Sequence, residues 1–158
     1  NDLHLIGSAQ RELGQHEVAV ETFFEARRLY KSLKEVISVA RCDQKIASCL
    51  VELGDGQAAL DRARKAMDVF ETAHDSRRLV FALFEYGKAQ VLLGEFDEAL
   101  ATFDQVLTAA SEDEPRDFDF IVSIESRIAQ VLKELGRTEE ATEIERRISS
   151  VSEILGDE

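Results

Sequence analysis

The 158-residue sequence predicts an all-α fold, a stack of antiparallel helix pairs with four repeats and eight helices. Three observations carry this expectation. The dipeptide Leu-Gly recurs at Leu13-Gly14, Leu53-Gly54, Leu93-Gly94 and Leu135-Gly136, with glycine spacings of 40, 40 and 42 residues. A fixed period in this range is the signature of a stacked array. Small residues flank each glycine at constant distances: Gly7, Ala47, Gly87 and Ala129 before it, and Ala19, Ala59, Ala99 and Ala141 after it. Helix backbones approach closely where no bulky side chain separates them, and the glycine takes the left-handed cap that ends the first helix of each pair. The apolar residues between follow helical spacing, and no strand-like alternation runs over a useful length.

The first pair is expected over 2–13 and 16–33, with Phe23 and Ala26 continuing the ladder that begins at Ala19. The second spans 36–53 and 57–73. Val36, Val39, Ala40, Ile46, Ala47, Leu50 and Leu53 form one face of its first helix. Gly54-Asp55-Gly56 reads as the turn, followed by Ala59, Ala63, Ala66, Met67 and Phe70. The third pair covers 76–93 and 96–111, with Phe103 and Val106 at the ladder positions. The fourth covers 116–135 and 138–154. The acidic loop Ser111-Glu112-Asp113-Glu114-Pro115 absorbs the two extra residues of the last spacing, and Pro115 suits a helix entry. Glu145 stands where the first and third units have Phe23 and Phe103, and the last helix carries one stripe, Ala141, Ile144, Ile148, Val151 and Leu155. Such a helix suits the end of an array. The repeats read 1–34, 35–74, 75–114 and 115–158 within a single domain. The chain starts Asn1-Asp2 and its first helix is short, so a fragment of a longer protein is expected. A processed start, or simply a short helix, is the alternative.

Composition narrows the function. Nineteen basic residues against 32 acidic ones give a net charge of −13. Such a surface repels phosphate backbones and anionic lipid heads, so neither nucleic acid nor membrane is expected as a partner. No apolar run is long enough to span a bilayer, and no basic-then-apolar leader is visible. Cys42 and Cys49 lie two helical turns apart, about 10 Å along an axis, beyond the Cα separation of about 7 Å that a disulfide tolerates. They read as small core residues in a reducing, cytoplasmic setting. His4, His16 and His74 have no metal-ligand spacing, and no nucleophile or phosphate-loop motif is present. No catalytic site, cofactor or metal is expected.

The run Tyr86-Gly87-Lys88-Ala89-Gln90-Val91-Leu92-Leu93-Gly94-Glu95-Phe96-Asp97-Glu98-Ala99-Leu100-Ala101-Thr102-Phe103 resembles the tetratricopeptide repeat, and the other three units follow in register. The common repeat is about 34 residues. The longer one here is similar to the branch found in kinesin light chains and in helical sensor domains of large bacterial transcriptional regulators. The family's tryptophan and closing proline are absent from every unit. The resemblance implies a right-handed superhelix whose concave side, lined by the first helix of each pair, binds partners. At the corresponding positions stand Asn1, His4, Ser8 and Arg11; Arg41, Gln44, Ser48 and Val51; Phe81, Phe84, Lys88 and Val91; and Ser123, Ser126, Gln130 and Lys133. One step away stand Leu5, Lys45, Glu85 and Arg127.

The sixteen positions of the main set hold Arg11, Arg41, Lys88 and Lys133 and no acid. An acidic exterior with a basic groove favours an acidic peptide, although chance placement of polar residues gives the same count. Phe81, Phe84 and Val91 share a face and either anchor a partner side chain or are buried by neighbouring repeats. The lysine–asparagine clamp of the chaperone-tail-binding branch is not reproduced, so no chaperone-tail binding is implied. The expected function is a protein-interaction module holding a peptide or partner segment in its groove. The groove residues are Arg41, Gln44, Lys45, Ser48, Phe81, Phe84, Lys88, Val91, Arg127, Gln130 and Lys133. A sensing segment of a larger regulator and a self-associating structural element are the alternatives.

Overall fold

The computed structural model describes residues 2–112 and 116–156, with side chains as far as residue 150. Asn1 as a groove position, Pro115 as a helix entry, and Val151 and Leu155 as stripe residues fall outside what is described. Eight helices and no strand occur among the described residues: α1 (Asp2–Glu12), α2 (His16–Ser32), α3 (Val36–Glu52), α4 (Gly56–Thr72), α5 (Ser76–Leu92), α6 (Phe96–Glu112), α7 (Phe118–Glu134) and α8 (Thr138–Gly156). They fall into two compact units, Asn1–Gly94 and Glu95–Glu158, divided at the third Leu-Gly turn. In the first unit each helix packs on the next from α1 to α5, and the first helices also meet one another, α1 on α3 and α3 on α5. In the second unit α6 packs on α7 and α7 on α8.

The turns share one geometry. Gly14, Gly54, Gly94 and Gly136 have φ of 73°, 79°, 76° and 74°. At Gly54 the amide donates to the Val51 carbonyl at 3.0 Å and the next amide, of Asp55, to Leu50 at 2.9 Å. These are the two bonds of a Schellman cap. The links between repeats repeat the pattern without glycine. Lys34 and His74 sit at φ 60° and 54°, with Glu35 N–H on the Tyr30 carbonyl at 3.0 Å and Asp75 N–H on Phe70 at 2.9 Å.

The left-handed conformation costs a non-glycine residue about 1–2 kcal/mol, offset by the about 0.4–1 kcal/mol that glycine adds to unfolded-chain entropy. Lys34→Gly is therefore expected to stabilise by about 0.5 kcal/mol. Gly54→Ala meets no atom within 4 Å, so its cost is backbone strain less the same entropy term, a net loss of about 0.5–1 kcal/mol. Thermal melts should move in opposite directions for the two variants. Shifts of the same sign would refute the shared geometry.

Two helix starts differ from expectation. The sequence places Gly56 in the turn, but it is the first residue of α4, because Asp55 accepts the Ala58 amide at 3.1 Å and caps the helix there. Gly56 is also a point of close approach, since a Cβ on it would lie 2.9 Å from the Leu92 Cβ. Helix α7 begins at Phe118, two residues later than expected, where Asp117 accepts the Phe120 amide at 3.0 Å.

The ladder predicted from small residues is the core. Ala19, Ala59, Ala99 and Ala141 are fully buried, as are Phe23, Ala63 and Phe103 and, further along, Ala26, Ala66 and Val106. Gly7 lies against the edge of Phe23, and a Cβ on it would come within 2.9 Å of that ring. The fourth position of the Phe23 series, Glu145, is half exposed.

Candidate functional site

The first-helix face of unit 1 carries the predicted groove residues on α3 and α5. Arg41 and Lys45 are one helical turn apart on α3, which puts them on one face. Gln44 stands beside them, and all three are half-buried, while Ser48 is buried. From α1 come His4 and Arg11. The His4 imidazole is held below its ordinary value first by burial and then by the positive charges of Arg41 and Lys45. Burial likewise pulls the Lys45 amine down, Arg11 adds to the effect, and Glu85 opposes it. These couplings place His4, Arg11, Arg41 and Lys45 in one electrostatic neighbourhood. The His4 Nε2 and the Arg11 Nε are buried without a hydrogen-bond partner. Arg11 Nη2 lies 3.9 Å from the Glu12 carboxylate.

Helix α5 is arranged differently. The Lys88 Nζ lies 2.7 Å from the Glu85 carboxylate with both side chains nearly buried, and 5.2 Å from the centre of the Phe84 ring. Lys88 is thus neutralised within its own helix. Phe81, Phe84 and Val91 are half-buried, between the exposed anchor and the fully buried packing residue that the sequence left open. In unit 2, half-buried Arg127 donates to the Gln130 side chain at 3.3 Å, and exposed Lys133 crosses to Glu145 on α8 at 2.5 Å. The missing aromatic of the last repeat is an ion-pair partner instead.

Among the described residues the most buried carboxylate, Asp43, lies outside the predicted groove set. Asp43 accepts from the Arg27 Nε and the Arg62 Nη1, each at 2.8 Å and both on the same oxygen. The Arg62 guanidinium lies 4.7 Å from the centre of the Phe24 ring. The available signal was that Asp43 occupies a position held by Leu3 and Leu83 in the first and third repeats. In unit 2 a cleft lined by Phe118, Ile121 and Val122, also outside the predicted set, lies beside the ion pair of Glu125 with Arg147 at 2.7 Å. Cys42 and Cys49 are buried free thiols, each pushed up to about 11 chiefly by burial. Among the described residues no group of three His, Cys, Asp or Glu side chains is arranged to hold a metal ion, and no helix is long and apolar enough to cross a membrane.

The lowered His4 value has a consequence for stability. As pH falls below 6.5 the unfolded chain takes up a proton before the folded one does, so folding weakens across the window between 6.5 and the lower folded value. His4→Gln is expected to flatten the loss of melting temperature between pH 7 and 5. An unchanged slope would show that His4 does not carry it.

Stacked helix pairs presenting charged and aromatic side chains from their first helices define a helical-repeat scaffold of the protein-interaction class. The tetratricopeptide repeat family model matches residues 37–112, and the helix pairs of the fold agree with that match. Solved structures share the fold. The nearly identical TPR-like repeats of a kinesin light chain from Podospora anserina match at a TM-score of 0.75 and 16% identity, over 96% of this chain and 74% of that one. A Rap protein complexed with Competence and Sporulation Factor matches at 0.85 and 16% identity, over 96% of this chain and 42% of that one. Aspartyl phosphate phosphatase F of Bacillus subtilis matches at 0.77 and 17% identity, over 98% and 40%. The chain therefore spans less than half the length of these last two. No curated protein matches its sequence.

Proposed function

We propose that this chain is a protein-interaction module whose first-helix face in unit 1 takes an acidic peptide or partner segment. The observation that carries the reading is the group formed by Arg11, Arg41 and Lys45 with His4. In a chain of net charge −13, the positive charges of Arg41 and Lys45 lower the proton affinity of His4, and those of Arg11 and Arg41 lower that of Lys45, opposed by Glu85. A carboxylate brought in from a partner relieves that repulsion, and at a half-buried site the attraction is screened less than at the surface. Gln44 supplies a neutral donor beside them, and Phe81, Phe84 and Val91 give apolar contact on α5. Arg127, Gln130 and Lys133 are the corresponding contacts of unit 2. The solved Rap protein complex is a precedent for a partner held by this fold. Binding of this kind needs no catalytic group, and two free cysteines suit a cytoplasmic setting. A second reading, a sensing segment within a larger regulator, is favoured by the greater length of two of the matched structures.

Fluorescence anisotropy with acidic, neutral and basic labelled peptides tests the main reading. The acidic set should bind, with affinity falling as salt rises. An Arg41→Glu, Lys45→Glu double variant that keeps its helical circular dichroism should bind it at least tenfold more weakly. Equal binding of all three peptide classes, or an unchanged double variant, would remove the proposal.

A further inference from the structure

The surroundings of Asp43 hold more positive charge than the chain itself neutralises there. Arg27 of α2 and Arg62 of α4 both donate to the Asp43 Oδ1, each at 2.8 Å. Two guanidinium charges therefore share one carboxylate, and among the described residues no other acid pairs with either arginine. Arg27 uses its Nε for this bond and Arg62 its Nη1. The other N–H groups of each fork have no acceptor among the described residues. The two side chains keep 24% and 23% of their exposure, so those groups can be reached from outside.

Both forks are held in place. The buried Asp43 carboxylate anchors them from α3, and the Phe24 ring lies 4.7 Å from the Arg62 guanidinium. Phe24 is itself packed on the core of Ala19, Phe23, Ile46 and Cys49. The two donor nitrogens meet on one oxygen, so they stand at most twice 2.8 Å apart. One carboxylate covers such a span when each of its oxygens accepts from one fork.

The repeat does not require these charges. Counting from the turn glycines, Arg27 and Asp43 correspond to Met67 and Leu83 one repeat later. Apolar residues of similar size often replace a buried ion pair at no loss of stability. Packing alone therefore gives no reason for the pair of arginines, and departures of this kind collect at functional sites.

We propose that Arg27 and Arg62 form a binding site for one carboxylate of a protein partner, an aspartate or glutamate side chain laid across the two forks. Charge selects a carboxylate over a phosphoryl group. One negative charge neutralises the excess of two arginines over Asp43. A phosphoryl group carries nearly two and overshoots it, beside a buried aspartate in a chain of net charge −13. The site is separate from Arg41 and Lys45. Asp43 lies two residues from each of them, about 200° around α3.

The side-chain Nε–H resonances of Arg27 and Arg62 in the 158-residue chain test the site. The probes are the α-amide of N-acetylglutamate, its glutamine counterpart and inorganic phosphate, all at constant ionic strength. The glutamate probe should shift both resonances saturably, and exposed Arg28 should not follow. The response should persist in the Arg41→Glu, Lys45→Glu variant. Arg62→Lys keeps the charge but removes the fork, and should weaken binding at least fivefold with unchanged circular dichroism. No saturable shift, an equal response to the glutamine probe, an equal response at Arg28, or unchanged affinity in Arg62→Lys each overturns the proposal. Tighter binding of phosphate overturns it in favour of a phosphoryl ligand. Loss of the response in the Arg41→Glu, Lys45→Glu variant overturns it by assigning the response to the first-helix face.

Discussion

Asp43→Ala is expected to cost about 3 kcal/mol of stability, at the low end of the range for breaking a buried ion pair. Asp43 is 3% exposed and sits on α3 between two arginines, one from α2 and one from α4. Removing it leaves both guanidinium groups facing an apolar helix surface without their shared acceptor. The arginine side chains retain 24% and 23% of their exposure, so water satisfies part of the loss. That keeps the effect below the full penalty of a stranded buried charge. Asp43→Asn keeps the shape and one acceptor oxygen but not the charge, and should cost about half as much. Urea unfolding of both variants, with Arg27→Met and Arg62→Met to complete double-mutant cycles, checks the account. A loss below about 1 kcal/mol for the alanine variant would reduce the arrangement to an ordinary surface pair.

Phe23→Ala should cost about 3–5 kcal/mol, the range for truncating a fully buried aromatic. The ring lies at the meeting of three helices. Gly7 of α1 touches its edge, His4 meets it edge-on at 5.6 Å between ring centres, and Ile46 and Cys49 of α3 pack against it. Gly7 has no side chain to move into the cavity, so only His4 could enter it from α1. Phe23→Leu should lose about a third as much. The contact with Gly7 predicts non-additivity. Gly7→Ala should destabilise the parent chain by crowding the ring, and should cost little in the Phe23→Ala background. A purely additive pair would mean that the ring and Gly7 do not constrain each other. Denaturant midpoints at constant slope provide the measurement.

The helices, the turns and the small-residue ladder were legible in the sequence because each is a local matter. A left-handed cap after Leu13, Leu53, Leu93 and Leu135 is favoured by a residue without a Cβ. A close helix crossing depends on Ala19, Ala59, Ala99 and Ala141 recurring at one distance from it. Such signals are written in covalent spacing, and they set the eight elements to within two residues at nearly every boundary. The helix entry at Gly56 was the local case misread, because a glycine beside a turn glycine looks like more turn until the Asp55 cap is seen.

The charged groups were not legible in this way. Arg41, Lys45 and Lys88 are alike as letters, yet Lys88 is satisfied by Glu85 one turn earlier while Arg41 and Lys45 face His4 and Arg11 from the neighbouring repeat. Asp43 finds its partners 16 residues before it and 19 after it, distances that no periodicity singles out. The left-handed turns at Lys34 and His74 carry no glycine to announce them. By itself the sequence determined the repeat, its helices and its apolar ladder, because backbone conformation and helical period act over a few residues. Only the tertiary structure decided which charges pair with each other and which gather with like charges from a neighbouring repeat. Those outcomes depend on side chains from different helices meeting within a few ångströms.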